Sequence, residues 1–84
     1  MEKVSYMFLS FRNPVKNLNL GVAIVQAKSL LEAIPLSHKK KVNPGGEVLG
    51  SPMTAEMFKE EGLEKDRLYS KAEMKKLGYS IPVD

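Results

Sequence analysis

Apolar residues alternate on both faces at the start of the chain. In "VSYMFLSF" (residues 4–11), Val4, Tyr6 and Phe8 share one face and Met7, Leu9 and Phe11 the other. Strand side chains alternate with a period of two, so this pattern predicts a strand covered on both sides. "RNPVKN" then breaks the run, with Asn13-Pro14 as a turn signal. The next run, "LNLGVAIV" (18–25), places Leu18, Leu20, Val22 and Ile24 on one face. Asn19, Gly21, Ala23 and Val25 share the other, and small residues there admit close approach by a helix, a partner chain or a ligand. Together the two runs predict an antiparallel hairpin with a longish turn.

The pattern then changes to a helical one. "SLLE" (29–32) reads as a capping box opening a helix from about Leu30 to Lys40, in which Pro35 predicts a kink or loosened turn. Asn43-Pro44-Gly45-Gly46 ends that helix, and "EVLG" (47–50) predicts a short third strand. Thr54 caps a second, short helix that Gly62 terminates. "SKAE" (70–73) is another capping box, opening a helix that Gly78 stops, with Tyr79 folding back in a Schellman-type contact and an extended tail. The order β-β-α-β-α-α predicts one α+β domain over residues 1–84, a small, mostly antiparallel sheet with helices packed on it.

Length adds a constraint. A chain of 84 residues buries a marginal core, and small domains find support in disulfides, metals or self-association. There is no cysteine, and the single histidine, His38, cannot assemble a metal cluster alone. Self-association remains, so a homo-oligomer is expected. The early lysine of "MEKVSYMFLSFRNP" resembles that of a signal peptide, but the apolar run is short and Arg12 ends it. No stretch is apolar enough to span a membrane, which predicts a soluble, cytoplasmic protein with no membrane partner.

Charge and chemistry exclude more than they assign. The balance of 13 basic against 10 acidic residues gives a net +3, mild for a nucleic-acid binder, and the clusters "HKKK" (38–41) and "KAEMKK" (71–76) suit the negative ends of helices. A nucleophile needs an activating base within reach, and the sequence offers neither a cysteine nor a second histidine. The acidic residues lack metal-ligand spacing and there is no Walker-type loop, so no enzyme activity, metal or cofactor is expected.

One segment retains functional interest, "KKKVNPGGEVLG" (39–50). Two glycines in a turn can aim consecutive amides at an anion, with Asn43 adding a donor and the lysines a positive potential. Glu47 would oppose a phosphate unless it accepts from a ribose hydroxyl or a base amine. The plain alternative is a chain reversal between helix and strand. Arg12, at the hairpin turn, and Arg67, near Glu64 and Asp66, are further anion candidates. Tyr6 or Tyr69 could stack on a base or simply pack.

"YMFLSFRNP", "NLGVAIV", "NPGGEVLG" and "RLYSKAEMKKLGY" together resemble a family of small uncharacterised proteins from bacteriophages and bacterial mobile elements. The likeness covers almost the whole chain, with "NPGGEV" its most distinctive part. It implies phage biology, the host-cell cytoplasm and, by analogy, a counter-defence role. The leading expectation is a non-catalytic, oligomeric protein that sequesters a small phosphate-bearing nucleotide, a host immune messenger. Its site would comprise Arg12, Lys41, Asn43, Gly45, Gly46, Glu47, Arg67 and Tyr69. The alternative is a protein-interaction module that inhibits a host enzyme through the same loop or through exposed Met53 and Met57. A nucleic-acid accessory role rests only on the lysine clusters.

Overall fold

The computed structural model describes residues 4–78. Four strands form one antiparallel sheet in the order β3-β1-β2-β4. The strands are β1 (Ser5–Asn13), β2 (Leu18–Val25), β3 (Glu47–Thr54) and β4 (Leu68–Tyr69). Helices α1 (Leu30–Lys39), α2 (Ala55–Glu61) and α3 (Lys71–Lys76) complete the α+β fold.

β1 lies inside the sheet, and its two apolar rows enter two separate cores. Met7, Leu9 and Phe11 pack with Ala23, Val25, Ala33 and Val42 beneath α1. Tyr6 and Phe8 pack on the opposite face with Val22, Ile24, Met53, Leu63, Tyr69 and Met74, beneath α2 and α3. The alternation of residues 4–11 therefore has the cause expected of it. Each row meets its own layer, and a polar substitution on either row would lose its cover.

β2 departs from strict alternation at one point. The register passes from Phe11↔Gly21 to Arg12↔Asn19, leaving Leu20 as the extra residue of a β-bulge. The bulge turns Leu20 onto the α1 face, where it packs against that core. Gly21 makes this possible, since its φ is +127° and an added Cβ would lie 2.8 Å from the Tyr69 carbonyl oxygen. The helix α1 covers the small-residue row, with Ala33 packed against Ala23 and Val25, and β4 comes close beside it at Gly21. That strand is too short to show a pattern and was not expected from the sequence.

The caps follow the sequence with two differences. Ser29 Oγ accepts from the Glu32 amide at 3.3 Å, but Glu32 reaches the Lys28 amide rather than that of Ser29, so the first box is half formed. The helix runs on unbroken through Pro35, on its exposed side. Thr54 caps α2 through the Met57 amide, and Gly62 ends it in the left-handed region. Ser70 and Glu73 form the complete box that opens α3. Tyr79 and the tail lie outside the described residues. β3 is twice the length expected, running from Glu47 directly into the cap Thr54. Pro52 is tolerated within it because β3 is an edge strand.

Gly21→Ala and Gly45→Ala separate two costs of a methyl group. Both glycines have positive φ, but nothing lies within 4 Å of a Cβ on Gly45. Urea denaturation should show a loss of about 1 kcal/mol for Gly45→Ala, and roughly 2 kcal/mol or more for Gly21→Ala, where β4 must also move. Equal losses would contradict the close approach.

Candidate functional site

The segment after α1 is built as a helix stop. Lys41 adopts the left-handed conformation, φ +60°. Its amide donates to the His38 carbonyl at 3.1 Å, and the Val42 amide donates to Ser37 at 3.0 Å. This is the bonding of a Schellman motif with lysine where glycine is usual, and Val42 is buried against the core as the motif's apolar contact. The three lysines thus decorate the end of a helix, where positive charge is favourable. Lys40 also reaches Asp66, at 3.8 Å.

"NPGG" is then tied down by its own side chains. Ser37, fully buried, donates to the Ile34 carbonyl at 2.6 Å and accepts from Asn43 Nδ2 at 3.0 Å. Asn43 Oδ1 accepts from the Gly45 amide at 2.7 Å, closing an Asx turn. His38 Nε2 lies 3.4 Å from Asn43 Nδ2. Gly46 has φ +78° and rests on the hairpin, where an added Cβ would overlap the Arg12 carbonyl oxygen and lie 3.0 Å from Leu20 Cδ1. The double glycine has a structural reason at this second position, since only a residue without a side chain fits against Arg12.

Glu47 is half exposed and pairs with Arg12 Nη2 at 2.6 Å. Arg12 Nη1 donates to Asn17 Oδ1 at 3.3 Å, while the buried Nε has no partner. Arg12, Gly46 and Glu47 therefore meet at one end of the molecule, with the Asn43–Gly45 clasp leading into it, while Lys41 belongs to the helix stop before it. A phosphate nest there would compete with bonds already made. The Gly45 amide is donated to Asn43, and the Arg12 charge is balanced by Glu47.

Arg67 and Tyr69 belong elsewhere. They lie at β4, the opposite edge of the sheet from Glu47, three strand spacings or about 14 Å away. Tyr69 is buried and its hydroxyl accepts from the Glu64 amide at 2.8 Å. The Arg67 guanidinium lies 4.3 Å from the centre of that ring, 2.6 Å from Glu73 and 3.6 Å from Glu64. The Tyr69 hydroxyl and these carboxylates hold Arg67 further towards its charged form. Glu73 is held below the usual carboxylate range, first by the Ser70 amide and then by Arg67. The charged neighbours of Arg67 are thus Glu73 and Glu64, while Asp66 turns to Lys40. Tyr6 stacks on Phe58, with centroids 4.2 Å apart. Of the two methionines expected on the surface, Met57 is exposed and Met53 is buried beside Tyr6.

The feature that sequence reasoning overlooked is the free edge of β3. Its polarity follows from one hydrogen bond on the far side of the sheet. The Asp66 amide donates to the Ile24 carbonyl at 2.8 Å, so Ile24 turns its backbone groups away from β1. In an antiparallel strand, successive residues address opposite neighbours. Ala23 and Val25 therefore face β1, and their partners Met7 and Leu9 face β2. Phe8 and Ser10 must then face β3, where they meet Ser51 and Leu49. Val48, Gly50 and Pro52 are left pointing outward. Pro52 agrees independently, because a residue without an N–H is placed where no ladder bond is asked of it. Among the described residues no strand covers this edge. Leu49, 60% exposed, stands on one side of it. On the other, Leu30 lies over Gly50 and is followed by Leu31, 86% exposed. The signal available in the sequence was the uninterrupted span from Gly46 to the cap Thr54, with a proline near its end.

Among the described residues no group of acidic, histidine or cysteine side chains is placed to hold a metal ion. No described helix is long and apolar enough to cross a membrane. Comparison with protein-family models, curated proteins and solved structures finds no match.

Lys41→Gly tests the reading of the lysine run as a helix stop. The left-handed conformation costs a side chain about 1–2 kcal/mol, and glycine returns roughly 0.5–1 kcal/mol of that through its freer unfolded chain. The variant should be more stable by about 0.5–1 kcal/mol in urea denaturation. A destabilised Lys41→Gly would mean that the lysine side chain itself holds the loop.

Proposed function

We propose that the chain is a non-catalytic protein-interaction module whose working surface is the free β3 edge. The observation that carries this reading is the outward set of backbone groups at Val48 and Gly50, with exposed Leu49 on one side and Leu30 over Gly50 on the other. An extended segment added there would make main-chain hydrogen bonds and cover apolar side chains, as in strand addition. In the phage setting that the sequence resemblance implies, the partner is a host enzyme in the cytoplasm, inhibited by the contact.

A second reading, sequestration of a phosphate-bearing nucleotide, is favoured by the buried Arg12 Nε that lacks a partner. A phosphate in place of the Glu47 carboxylate would engage more of that guanidinium. It would have to displace a 2.6 Å ion pair. Strand addition displaces nothing in the described fold, which is why it stands first.

Two variants distinguish the readings. Leu49→Lys puts a charge beside the edge and should abolish co-purification of a protein partner while leaving the melting temperature within a few degrees. Arg12→Ala should leave that partner bound. Nucleotide sequestration expects the reverse, with a nucleotide-dependent rise in melting temperature that Arg12→Ala removes and Leu49→Lys retains. That second pattern would overturn the interaction reading.

A further inference from the structure

We infer that the β3 edge also takes a second copy of itself, pairing antiparallel about a twofold axis at Leu49 and joining two four-stranded sheets into one. The inference rests on the reading of β3 as an open edge, and it adds the occupant and the register.

The register follows from the outward groups. In an antiparallel pair, residues that turn their backbone towards the partner must meet residues doing the same. Val48 and Gly50 have both groups free, whereas Pro52 offers only a carbonyl. Centring the axis on Leu49 sets Val48 opposite Gly50 of the second copy, and Gly50 opposite its Val48. Every free donor and acceptor of the two residues is then used, and Pro52 falls opposite Gly46, beyond the strand. Centring on Gly50 instead sets Val48 against Pro52, which has no N–H to give. Centring on Val48 sets Gly50 against Gly46, whose φ of +78° takes it out of extended geometry. One register satisfies the edge.

Side chains agree with that register. A valine opposite a glycine is a large-to-small match, and Leu30, which already fills the space above Gly50, would come beside Val48 of the second copy. Leu49 meets its own counterpart in a non-hydrogen-bonded pair, the closer of the two antiparallel geometries. Charge permits the contact. Glu47, the only charged residue of the strand, is paired within its own chain to Arg12 and would stand opposite Ser51. Lysine, the usual guard of a free edge, is absent from β3. A stable dimer buries about 800 Å² on each partner, more than a backbone edge supplies. Leu49, among the most exposed large apolar residues described, on one side and Leu30, over Gly50, on the other add apolar area to the contact. The small core of a chain this size gains from their cover.

The absence of native cysteine supplies the test. At a non-hydrogen-bonded antiparallel pair the Cα separation, about 4.5 Å, lies within disulfide range. Leu49→Cys and Ser51→Cys, both at exposed positions, are oxidised gently while the wild-type chain is followed by sedimentation velocity. The expected result is a concentration-dependent dimer of the wild type. Leu49→Cys should form a double-mass species about tenfold faster than Ser51→Cys, which has no counterpart of itself within reach. A wild-type chain that sediments as 9.4 kDa at every concentration overturns the inference. So does cross-linking of Ser51→Cys as fast as Leu49→Cys. The two readings of the edge can fail separately. A monomeric chain whose foreign partner still depends on Leu49 sinks the pairing alone. A Leu49→Cys cross-link without any Leu49-dependent partner supports the pairing and sinks the proposed function.

Discussion

The fold depends on a strand with no free side. Every residue of the β1 centre commits its side chain to one of two cores and its backbone to one of two neighbours. Met7 and Leu9 point into the α1 core while their amides and carbonyls serve β2. Phe8 packs beneath α2 and α3 while its backbone serves β3. A slip of one residue would exchange both sets at once, so register is strongly specified. Burying one large apolar side chain is worth about 1.5–3 kcal/mol, and an unpaired buried backbone group costs a similar amount. A slipped β1 would lose on both counts.

The other features accommodate that strand. Leu20 is needed over the Phe11 end of the α1 core, and the bulge at Gly21 brings it there without disturbing the pairing at Ala23 and Val25. The helix stop at Lys41 and the Asn43 clasp return the chain across the same end, so that Glu47 arrives beside Arg12. The NPGG segment is therefore a shaped chain reversal whose polar groups are used in shaping it. What the arrangement leaves unused is on the outside of β3, because β1 takes one side of that strand and nothing described takes the other.

Much of this architecture was legible in the residues, and the reasons differ by element. The double-faced run of residues 4–11, the hairpin and the caps at Thr54 and Ser70 all depend on contacts close in sequence, and the structure has them. β4 was not legible, since two residues carry no period and its place is set by Gly21 across the sheet. Leu20 was assigned to the wrong face because a bulge, a tertiary event, reverses the alternation. The proposed ligand site gathered eight residues by chemical type. The fold divides them, because Arg67 and Tyr69 sit on the edge opposite Glu47, and Tyr69 is held by packing and by the Glu64 amide. Donors that look available in a string of letters are often spent within the turn that holds them, as Asn43 and Gly45 are here.

The backbone polarity of β3 links the buried strand to the exposed edge. Amide hydrogen exchange on the isotope-labelled chain at high dilution reads it residue by residue. Slow exchange at Leu49 and Ser51, with fast exchange at Val48 and Gly50, is the predicted result. Protection of Val48 and Gly50 at high dilution, with Leu49 and Ser51 exposed, would contradict it, for β3 would then present its other side to β1 and have no free edge of the kind described.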